Sequence, residues 1–172
     1  MSRIYLIGYM YSGKSTFGRL LAKTLEVGFY DLDVLFEKRY HTTIPIFFHR
    51  YGEEAFRKLE RIVLEETERY DDCVISTGGG TPCYGDNMHW IRCHGTSIYL
   101  EISLEGVLSR HGRSKKPRPL LAGMNEEECR AYIVAQMRQR NPFYRQADIT
   151  LDALAPNIDT VINYLRKNEG RE

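Results

Sequence analysis

The most informative stretch of the sequence is Gly8-Tyr9-Met10-Tyr11-Ser12-Gly13-Lys14-Ser15. It matches the pattern G-x-x-x-x-G-K-[ST], in which backbone N–H groups and a lysine surround phosphate oxygens. A short apolar run, Arg3–Ile7, precedes it and predicts a strand. Apolar residues follow it at helical spacing, namely Phe17, Leu20, Leu21 and Leu25. A strand, a phosphate loop and a helix N-terminus in this order predict a site for a nucleoside triphosphate.

Each residue type in the loop has a predicted task. Gly8 and Gly13 allow backbone conformations that direct N–H groups towards phosphate oxygens. Lys14 is expected to reach the β- and γ-phosphates, and the hydroxyl of Ser15 to ligate Mg²⁺. We expect the nucleotide to contact Tyr11, Ser12, Gly13, Lys14, Ser15 and Thr16.

The composition is that of a globular protein. Of the 172 residues, 42% are hydrophobic and 27% are charged, and the formal net charge is +1. This length predicts a single domain, residues 1–172, and the balanced charge gives no bias towards nucleic acid or membranes. No apolar run approaches the roughly 20 residues of a membrane span, and we find no signal peptide, so a cytoplasmic protein is expected. The cysteines form no Cys-x-x-Cys pair, which predicts reduced thiols and no zinc site.

Strand-like and helix-like segments alternate along the chain. After a predicted turn at Gly28-Phe29-Tyr30 and a second short strand that ends at Asp31-Leu32-Asp33, the further strands are predicted at Cys73–Ser76, 96–102 and 148–151. The helices are predicted at 33–40, 53–70, 86–93, 104–110, 126–140 and 157–167. This alternation predicts an α/β fold, a three-layer α/β/α sandwich around a mainly parallel sheet of five strands. The segment 111–123, with two prolines and two glycines, is predicted to be an irregular loop.

A phosphate loop alone does not identify the phosphoryl acceptor. The tetrad Asn-Lys-x-Asp, which reads guanine in GTPases, does not occur in the sequence. The cluster Asp31-Leu32-Asp33 ends the predicted second strand, and alternation along a strand would put both carboxylates on one side. One could then serve Mg²⁺ and the other a substrate hydroxyl. The alternative is that Asp33 is only the N-cap of the next helix.

Two more clusters indicate an acceptor site. Arg57 and Glu60 are three residues apart on a predicted helix, so the glutamate could brace a guanidinium that holds a carboxylate. The alternative is a surface ion pair. The second cluster, Gly78-Gly79-Gly80, follows a strand and would let a ligand touch the backbone, unless it is merely a tight turn.

Taken together, these motifs resemble the shikimate kinase family, and they match its order and spacing from about residue 4 to 145. The family motifs are the phosphate loop, D-x-D, G-E-x-x-F-R-x-x-E, G-G-G, R-P-L-L and R-x-P-x-Y. In this chain they stand at Gly8–Ser15, Asp31–Asp33, Gly52–Glu60, Gly78–Gly80, Arg118–Leu121 and Arg140–Tyr144. The resemblance implies a P-loop nucleoside kinase-like fold with a mobile lid, at about 111–124, and acceptor-binding helices, at about 33–61. It implies ATP-dependent phosphorylation of the shikimate 3-hydroxyl in aromatic amino-acid biosynthesis.

The resemblance also assigns the acceptor residues. Shikimate would be held by Asp33, Arg57, Gly79 and Arg140, with the two arginines on its carboxylate. Asp33 would bond ring hydroxyls and accept the proton of the reacting hydroxyl. Separately from the resemblance, the sequence leaves no exposed apolar stripe over, so we expect a monomer.

On the nucleotide side, the resemblance assigns Mg²⁺ to Ser15 and Asp31. Lys14 and the lid residue Arg118 would neutralise the charge on the transferring phosphoryl group. Arg110 and the stretch around Pro156 would contact the adenine.

Two residues depart from the family pattern. Tyr11 and His41 stand where the family usually has glycine. Either position 11 does not require a positive φ, or Tyr11 covers the nucleotide.

Three alternatives remain open at this stage. One is a kinase for another polyol acid, such as gluconate, and another is a nucleotide-binding regulator without transfer activity. The third is a nucleic-acid-binding module. It would use the basic cluster Arg110, Arg113, Lys115, Lys116 and Arg118, although aromatic residues do not interleave with these charges.

Overall fold

The computed structural model describes residues 3–113, 121 and 123–169. The strands are β1 (Arg3–Ile7), β2 (Gly28–Asp31), β3 (Cys73–Ser76), β4 (Gly95–Glu101) and β5 (Ile149–Asp152). The helices are α1 (Lys14–Leu25), α2 (Leu32–Tyr40), α3 (Ile44–Glu65), α4 (Asn87–His94), α5 (Leu104–Arg113), α6 (Glu126–Tyr144) and α7 (Ile158–Glu169). Two short 3₁₀ turns lie at Glu66–Arg69 and Thr81–Cys83. Within the described ranges, none of the helices combines the length and apolar character that crossing a bilayer requires.

The strands form one sheet of five strands in the order β2-β3-β1-β4-β5. Every neighbouring pair is parallel. All four residues of β3 are buried, as are the last four of β1. Because successive side chains of a strand point to opposite faces, layers of helices must cover the sheet on both sides. The predicted α/β sandwich with five parallel strands is therefore confirmed.

The register of the sheet brings the ends of three strands together. Ser76, the last residue of β3, is aligned with Leu6 of β1 and with Asp31 of β2. The segments that follow these strands consequently start side by side at one edge of the sheet. In α/β proteins this carboxyl edge is where ligands bind.

Gly8 shows how closely the first of these segments is packed. It has a φ of 143°, and a side-chain carbon added there would lie 2.7 Å from the carbonyl oxygen of Leu100 in β4. Both the backbone angle and the close approach exclude residues with a Cβ at this position. The first glycine of the phosphate loop is therefore a packing requirement of the sheet as well.

The second strand begins and ends earlier than the sequence predicts. Gly28, Phe29 and Tyr30, predicted to be a turn, belong to β2, which ends at Asp31, and α2 begins at Leu32, so Asp33 lies in the first turn of a helix. The prediction that alternation along a strand relates the two carboxylates is wrong, although both residues line one cavity. The alternative that Asp33 is the N-cap is wrong too, because Asp31 is the N-cap and accepts a hydrogen bond from the backbone N–H of Asp33.

Helix α3 also differs from its prediction of 53–70. It begins at Ile44, where Thr43 caps it, and its backbone is interrupted at Gly52, which has a φ of 80° and a ψ of 173°. The α-helical part ends at Glu65 and continues as the 3₁₀ turn. A glycine in the left-handed region breaks the helical hydrogen-bond pattern, so the apolar periodicity does not run through it.

The other helix and strand boundaries differ from the predicted ones by a few residues. Helices α5 and α6 extend beyond their predicted ends. Helix α5 continues to Arg113, so the prediction that the irregular segment begins at residue 111 is wrong. Helix α6 continues to Tyr144 with Pro142 inside it. Most of the predicted lid, including Arg118, lies outside the described residues, whereas Leu121 is buried.

Alanine in place of two helical glycines is predicted to change the stability in opposite directions. A Cβ at Gly18 in α1 would lie 2.5 Å from the ring of Phe29 and 2.8 Å from Leu6, whereas one at Gly112 in α5 would meet nothing within 4 Å among the residues that the structure describes. We expect Gly18→Ala to lower the free energy of unfolding by about 1–3 kcal/mol through overpacking. The control Gly112→Ala should raise it by up to about 1 kcal/mol, since alanine favours the helix.

Urea denaturation followed by circular dichroism measures both values. If Gly18→Ala proves as stable as the wild type, the close packing of α1 on β1 and β2 is contradicted.

Candidate active site

The side chain of Lys14 bonds to the backbone of its own phosphate loop. Helix α1 begins at Lys14, and Gly13 before it has a φ of 86°. The Lys14 Nζ donates hydrogen bonds to the carbonyl oxygens of Gly8 at 2.8 Å and Tyr9 at 2.9 Å. The N–H of Ser12 donates to the Tyr9 carbonyl at 3.3 Å. A cation and a helix N-terminus therefore face the same small space, which suits a phosphate.

This loop forms one wall of a cavity of about 390 Å³. Asp31, Asp33 and the Gly78–Gly79 turn lie across from it. The cavity is lined by Met10, Tyr11, Gly13, Lys14, Ser15, Thr16, Asp31, Asp33, Ser76, Thr77, Gly78, Gly79 and Arg110. Most of the residues predicted for the nucleotide and the metal are among these, and Ser12 is buried within the loop.

Three residues of the lining were missed by sequence reasoning, namely Met10, Ser76 and Thr77. Ser76 and Thr77 have a recognisable signal, because they are polar residues at the end of a strand that is buried throughout. The Thr77 backbone N–H and hydroxyl both donate to the Leu6 carbonyl, at 3.1 and 3.0 Å. Those bonds hold the glycine turn, Gly78–Gly80, beside the phosphate loop.

A cluster of oxygen atoms lies at the base of the cavity. The Ser15 hydroxyl donates to Oδ2 of Asp31 at 2.6 Å and lies 3.3 Å from the Ser76 hydroxyl. Hydroxyl and carboxylate oxygens suit Mg²⁺, which is usually held by one or two carboxylates together with substrate phosphates. No group of three or more His, Cys, Asp or Glu residues that could hold a metal occurs in the described ranges. The donor set thus fits a magnesium ion that arrives with a nucleotide.

The glycine turn is confined by two carboxylates. A Cβ at Gly78 would lie 2.8 Å from Oε1 of Glu60 and 3.1 Å from Oδ1 of Asp33. Because neither carboxylate leaves room for a side chain, Gly78 is more than a flexible turn residue. Asp33 thereby lies against the glycine turn and lines the same cavity as the phosphate loop.

Arg57 and Glu60 form a buried pair. The Arg57 Nη1 donates to Oε2 of Glu60 at 2.7 Å, and the Thr81 hydroxyl donates to Oε1 at 2.6 Å. Glu60 is 2% exposed, so the alternative of a surface ion pair is excluded. Burial lowers the pKa of the Arg57 guanidinium, but Glu60 and Glu53 raise it, and the net change is upwards. Arg57 therefore carries its charge at every physiological pH.

Two guanidinium groups approach the glycine turn at successive residues. That of Arg57 lies against Gly80, where it leaves no room for a Cβ. A Cβ at Gly79 would lie 3.4 Å from Nη1 of Arg140 and 3.6 Å from both the Gly8 carbonyl and the Met10 nitrogen. The Tyr144 hydroxyl donates to the Gly79 carbonyl, which ties the end of α6 to the turn. Two positive charges consequently meet beside the phosphate loop.

One thiol and two phenol groups near these arginines remain neutral. Burial raises the pKa of the Cys83 thiol to about 11, although Arg140 and Arg57 oppose the change. Burial likewise raises the pKa of Tyr9 to about 12. The pKa of Tyr144 is also raised, again chiefly by burial. These three groups therefore add no negative charge beside the arginines, and the carboxylates that pair with Arg57 are those of Glu60 and Glu53.

Arg110 lies beside the phosphate loop. Its Nη1 donates to the Tyr11 carbonyl at 2.6 Å, and its Nη2 donates to the Ala153 carbonyl at 2.9 Å. Pro156 follows in the same connection between β5 and α7. Arg118, the other arginine predicted here, lies outside the described residues.

Both residues that replace family glycines have left-handed backbones. Tyr11 has a φ of 63°, and His41, which ends α2, has a φ of 51°. The alternative that position 11 does not require a positive φ is therefore wrong. A left-handed residue with a Cβ costs about 1–2 kcal/mol, so other contacts must offset the strain at Tyr11.

Comparison with known proteins identifies the family. The family model for shikimate kinase matches residues 10–168. A shikimate kinase from Parabacteroides distasonis is 46% identical over 153 residues, which cover 89% of this chain and 88% of that relative. The chain belongs to the shikimate kinase family. The resemblance seen in the motifs is thereby confirmed.

Solved structures of the family agree. The structure of shikimate kinase from Bacteroides thetaiotaomicron has a TM-score of 0.88 at 36% identity and covers 98% of both chains. That of shikimate kinase from Acinetobacter baumannii, in complex with shikimate, has a TM-score of 0.86 at 31% identity, covering 98% of this chain and 94% of that one. The similarity to the family thus extends over nearly the whole fold.

The two acidic partners of Arg57 provide a matched test of the buried pair. Glu60→Gln removes a buried charge, and we expect it to lower the free energy of unfolding by about 1–3 kcal/mol. Glu53 binds the same guanidinium at 3.2 Å, but its side chain is 64% exposed. Glu53→Gln should therefore cost less than about 1 kcal/mol.

Urea denaturation of both variants at neutral pH gives the comparison. Equal losses for the two substitutions would contradict the special role of the buried carboxylate.

Proposed function

We propose that this protein transfers the γ-phosphoryl group of ATP to the 3-hydroxyl of shikimate, giving shikimate 3-phosphate and ADP in aromatic amino-acid biosynthesis. The observation that carries the proposal is the convergence of Arg57 and Arg140 on the glycine turn beside the phosphate loop. Membership of the shikimate kinase family supports it. The relative from Acinetobacter baumannii, solved in complex with shikimate, supports the choice of acceptor.

The two arginines are proposed to read the carboxylate of the acceptor. A guanidinium presents its donors in a planar fork that matches a carboxylate. Glu60 and Glu53 bind Arg57 and so restrict its orientation before a ligand arrives. An acceptor without a carboxylate would form no charged hydrogen bonds with the two guanidinium groups, which would select against neutral polyols.

Asp33 is proposed as the group that receives the proton. Its carboxylate lies against Gly78, in the cavity that also contains the phosphate loop. In the proposed step, the shikimate hydroxyl oxygen bonds to the γ-phosphorus. The bond from that phosphorus to the bridging oxygen breaks, ADP leaves and the hydroxyl proton passes to Asp33.

The remaining charges are proposed to stabilise the phosphoryl group. Ser15 and Asp31 would hold Mg²⁺, and the bound ion would neutralise charge on the phosphates. Lys14 would bind the phosphates, Arg110 and the stretch around Pro156 the adenine, and Arg118 would come from a lid that follows α5. All of these residues belong to one chain, so we propose that a monomer is active.

Initial rates with ATP and MgCl₂ and three acceptors test the proposal. Shikimate, quinate and gluconate would each be supplied at the same concentration, and ADP release would be measured. We expect shikimate to be phosphorylated at least about tenfold faster than either of the others. Faster reaction with gluconate would favour the polyol-acid alternative, and no transfer to any acceptor would favour the regulator.

Replacement of Asp33 tests the proton acceptor. We expect Asp33→Asn to lower kcat by about 10²–10⁴-fold, because the amide cannot accept the proton, while the KM for ATP changes little. Asp159 occupies a comparable place, in the first turn of α7, and is exposed. The control Asp159→Asn should retain wild-type kcat. A wild-type kcat for Asp33→Asn would reduce Asp33 to a structural residue.

A further inference from the structure

Tyr11 is the unusual residue of the phosphate loop. It stands where the family pattern has glycine, and it keeps the left-handed backbone that glycine adopts easily. A large side chain in this conformation persists only where its surroundings hold it there. The contacts of the Tyr11 side chain therefore indicate what it does.

Two consecutive residues of α5 bond to Tyr11. The Arg110 Nη1 donates to its carbonyl oxygen at 2.6 Å. The Tyr11 hydroxyl and Nδ1 of His111 share a hydrogen bond of 3.0 Å, in which the donor depends on the tautomer of the histidine. The two rings also meet edge to face, with 5.7 Å between their centroids. The end of α5 is thus joined to the phosphate loop through the backbone and the side chain of one residue.

One of the two α5 residues that bond to Tyr11 carries a guanidinium group beside the phosphate loop. Arg110 lines the cavity, and a Cβ at Gly13 would lie 3.3 Å from its Nη1. Its Nη2 binds the Ala153 carbonyl in the connection after β5. Any movement of the last turn of α5 would therefore displace Arg110 relative to the helix N-terminus that receives the phosphates.

We propose that Tyr11 is a positioning residue for nucleotide binding, which acts through His111 to hold the end of α5, and with it Arg110, against the phosphate loop. The pair shapes the nucleotide side of the cavity before the ligand arrives. A group that is already in place loses less conformational freedom on binding, so affinity rises without a new contact to the ligand. This inference rests on the proposed function only in that the cavity must bind a nucleotide.

Binding of MgADP to the full chain, measured by isothermal titration calorimetry without shikimate, tests the proposal. Tyr11→Phe keeps the ring and removes only the hydroxyl, and His111→Ala removes the partner. We expect each variant to raise the Kd for MgADP about three- to tenfold. The double variant should bind MgADP no more weakly than His111→Ala alone, because Tyr11→Phe removes a hydrogen bond that His111→Ala has already removed.

Rescue and matched controls separate positioning from general stability. His111→Asn offers both a donor and an acceptor near Nδ1 and should restore most of the affinity. Tyr164→Phe on α7 and His89→Ala on α4 make the same chemical changes away from the phosphate loop, and should leave the Kd for MgADP unchanged. Thermal unfolding of every variant identifies any that is not folded, and the KM for shikimate should stay within about twofold of wild type.

Each outcome decides the matter. An unchanged Kd for Tyr11→Phe, a tighter Kd, or additive effects in the double variant would overturn the proposal. A rise in the KM for shikimate equal to the rise in the Kd for MgADP would do the same, since it indicates a general disturbance. If the wild type binds MgADP but does not phosphorylate shikimate, the proposed function fails while the positioning role of Tyr11 can still be read from the binding data.

Discussion

The arrangement of α3 and the glycine turn depends on the hydrogen bonds of the buried Glu60 carboxylate. It accepts a hydrogen bond from Arg57 on its own helix and another from Thr81, which follows the glycine turn. A buried charge is tolerated only when it is paired and hydrogen-bonded, so α3 and the turn are constrained to one relative position. In that position the guanidinium of Arg57 lies against Gly80, and Gly78 has no space for a side chain. The absence of Cβ atoms in the turn and the burial of Glu60 are therefore parts of one arrangement.

The parallel sheet supplies the second constraint. Its register aligns Leu6, Asp31 and Ser76, which places the phosphate loop, α2 and the glycine turn beside one another. Positive charge is then distributed at both ends of the site, with Lys14 and Arg110 at one and two arginines at the other. The carboxylates of Asp31 and Asp33 lie in the cavity between them. Positive and negative side chains are therefore separated within the site, although the net charge of the whole chain is only +1.

The parts of this architecture that depend on local pattern could be predicted from the sequence. The order of strands and helices, the phosphate loop and the pairing of Arg57 with Glu60 follow from periodicity and spacing. The face that Asp33 presents could not be predicted by alternation, because the change from strand to helix occurs one residue before it, at Leu32. The first half of α3 was missed because Gly52 interrupts the helix, and Ile46 in that half is 55% exposed, which weakens the apolar pattern.

Contacts between distant residues leave no such pattern. Tyr11 and His111 are 100 positions apart, and Gly79 and Tyr144 are 65 apart. Nothing local in the sequence pairs them, because the fold alone brings α5 to the phosphate loop and α6 to the glycine turn. The site thus combines residues that motifs reveal with residues that only the tertiary structure connects.

A crystal structure of this protein with shikimate and ADP would show where the acceptor binds. We expect both Arg57 and Arg140 within hydrogen-bond distance, about 3.2 Å, of the shikimate carboxylate, with the 3-hydroxyl directed at Asp33. A carboxylate bound elsewhere, for example at Lys14 or Arg110, would contradict this placement.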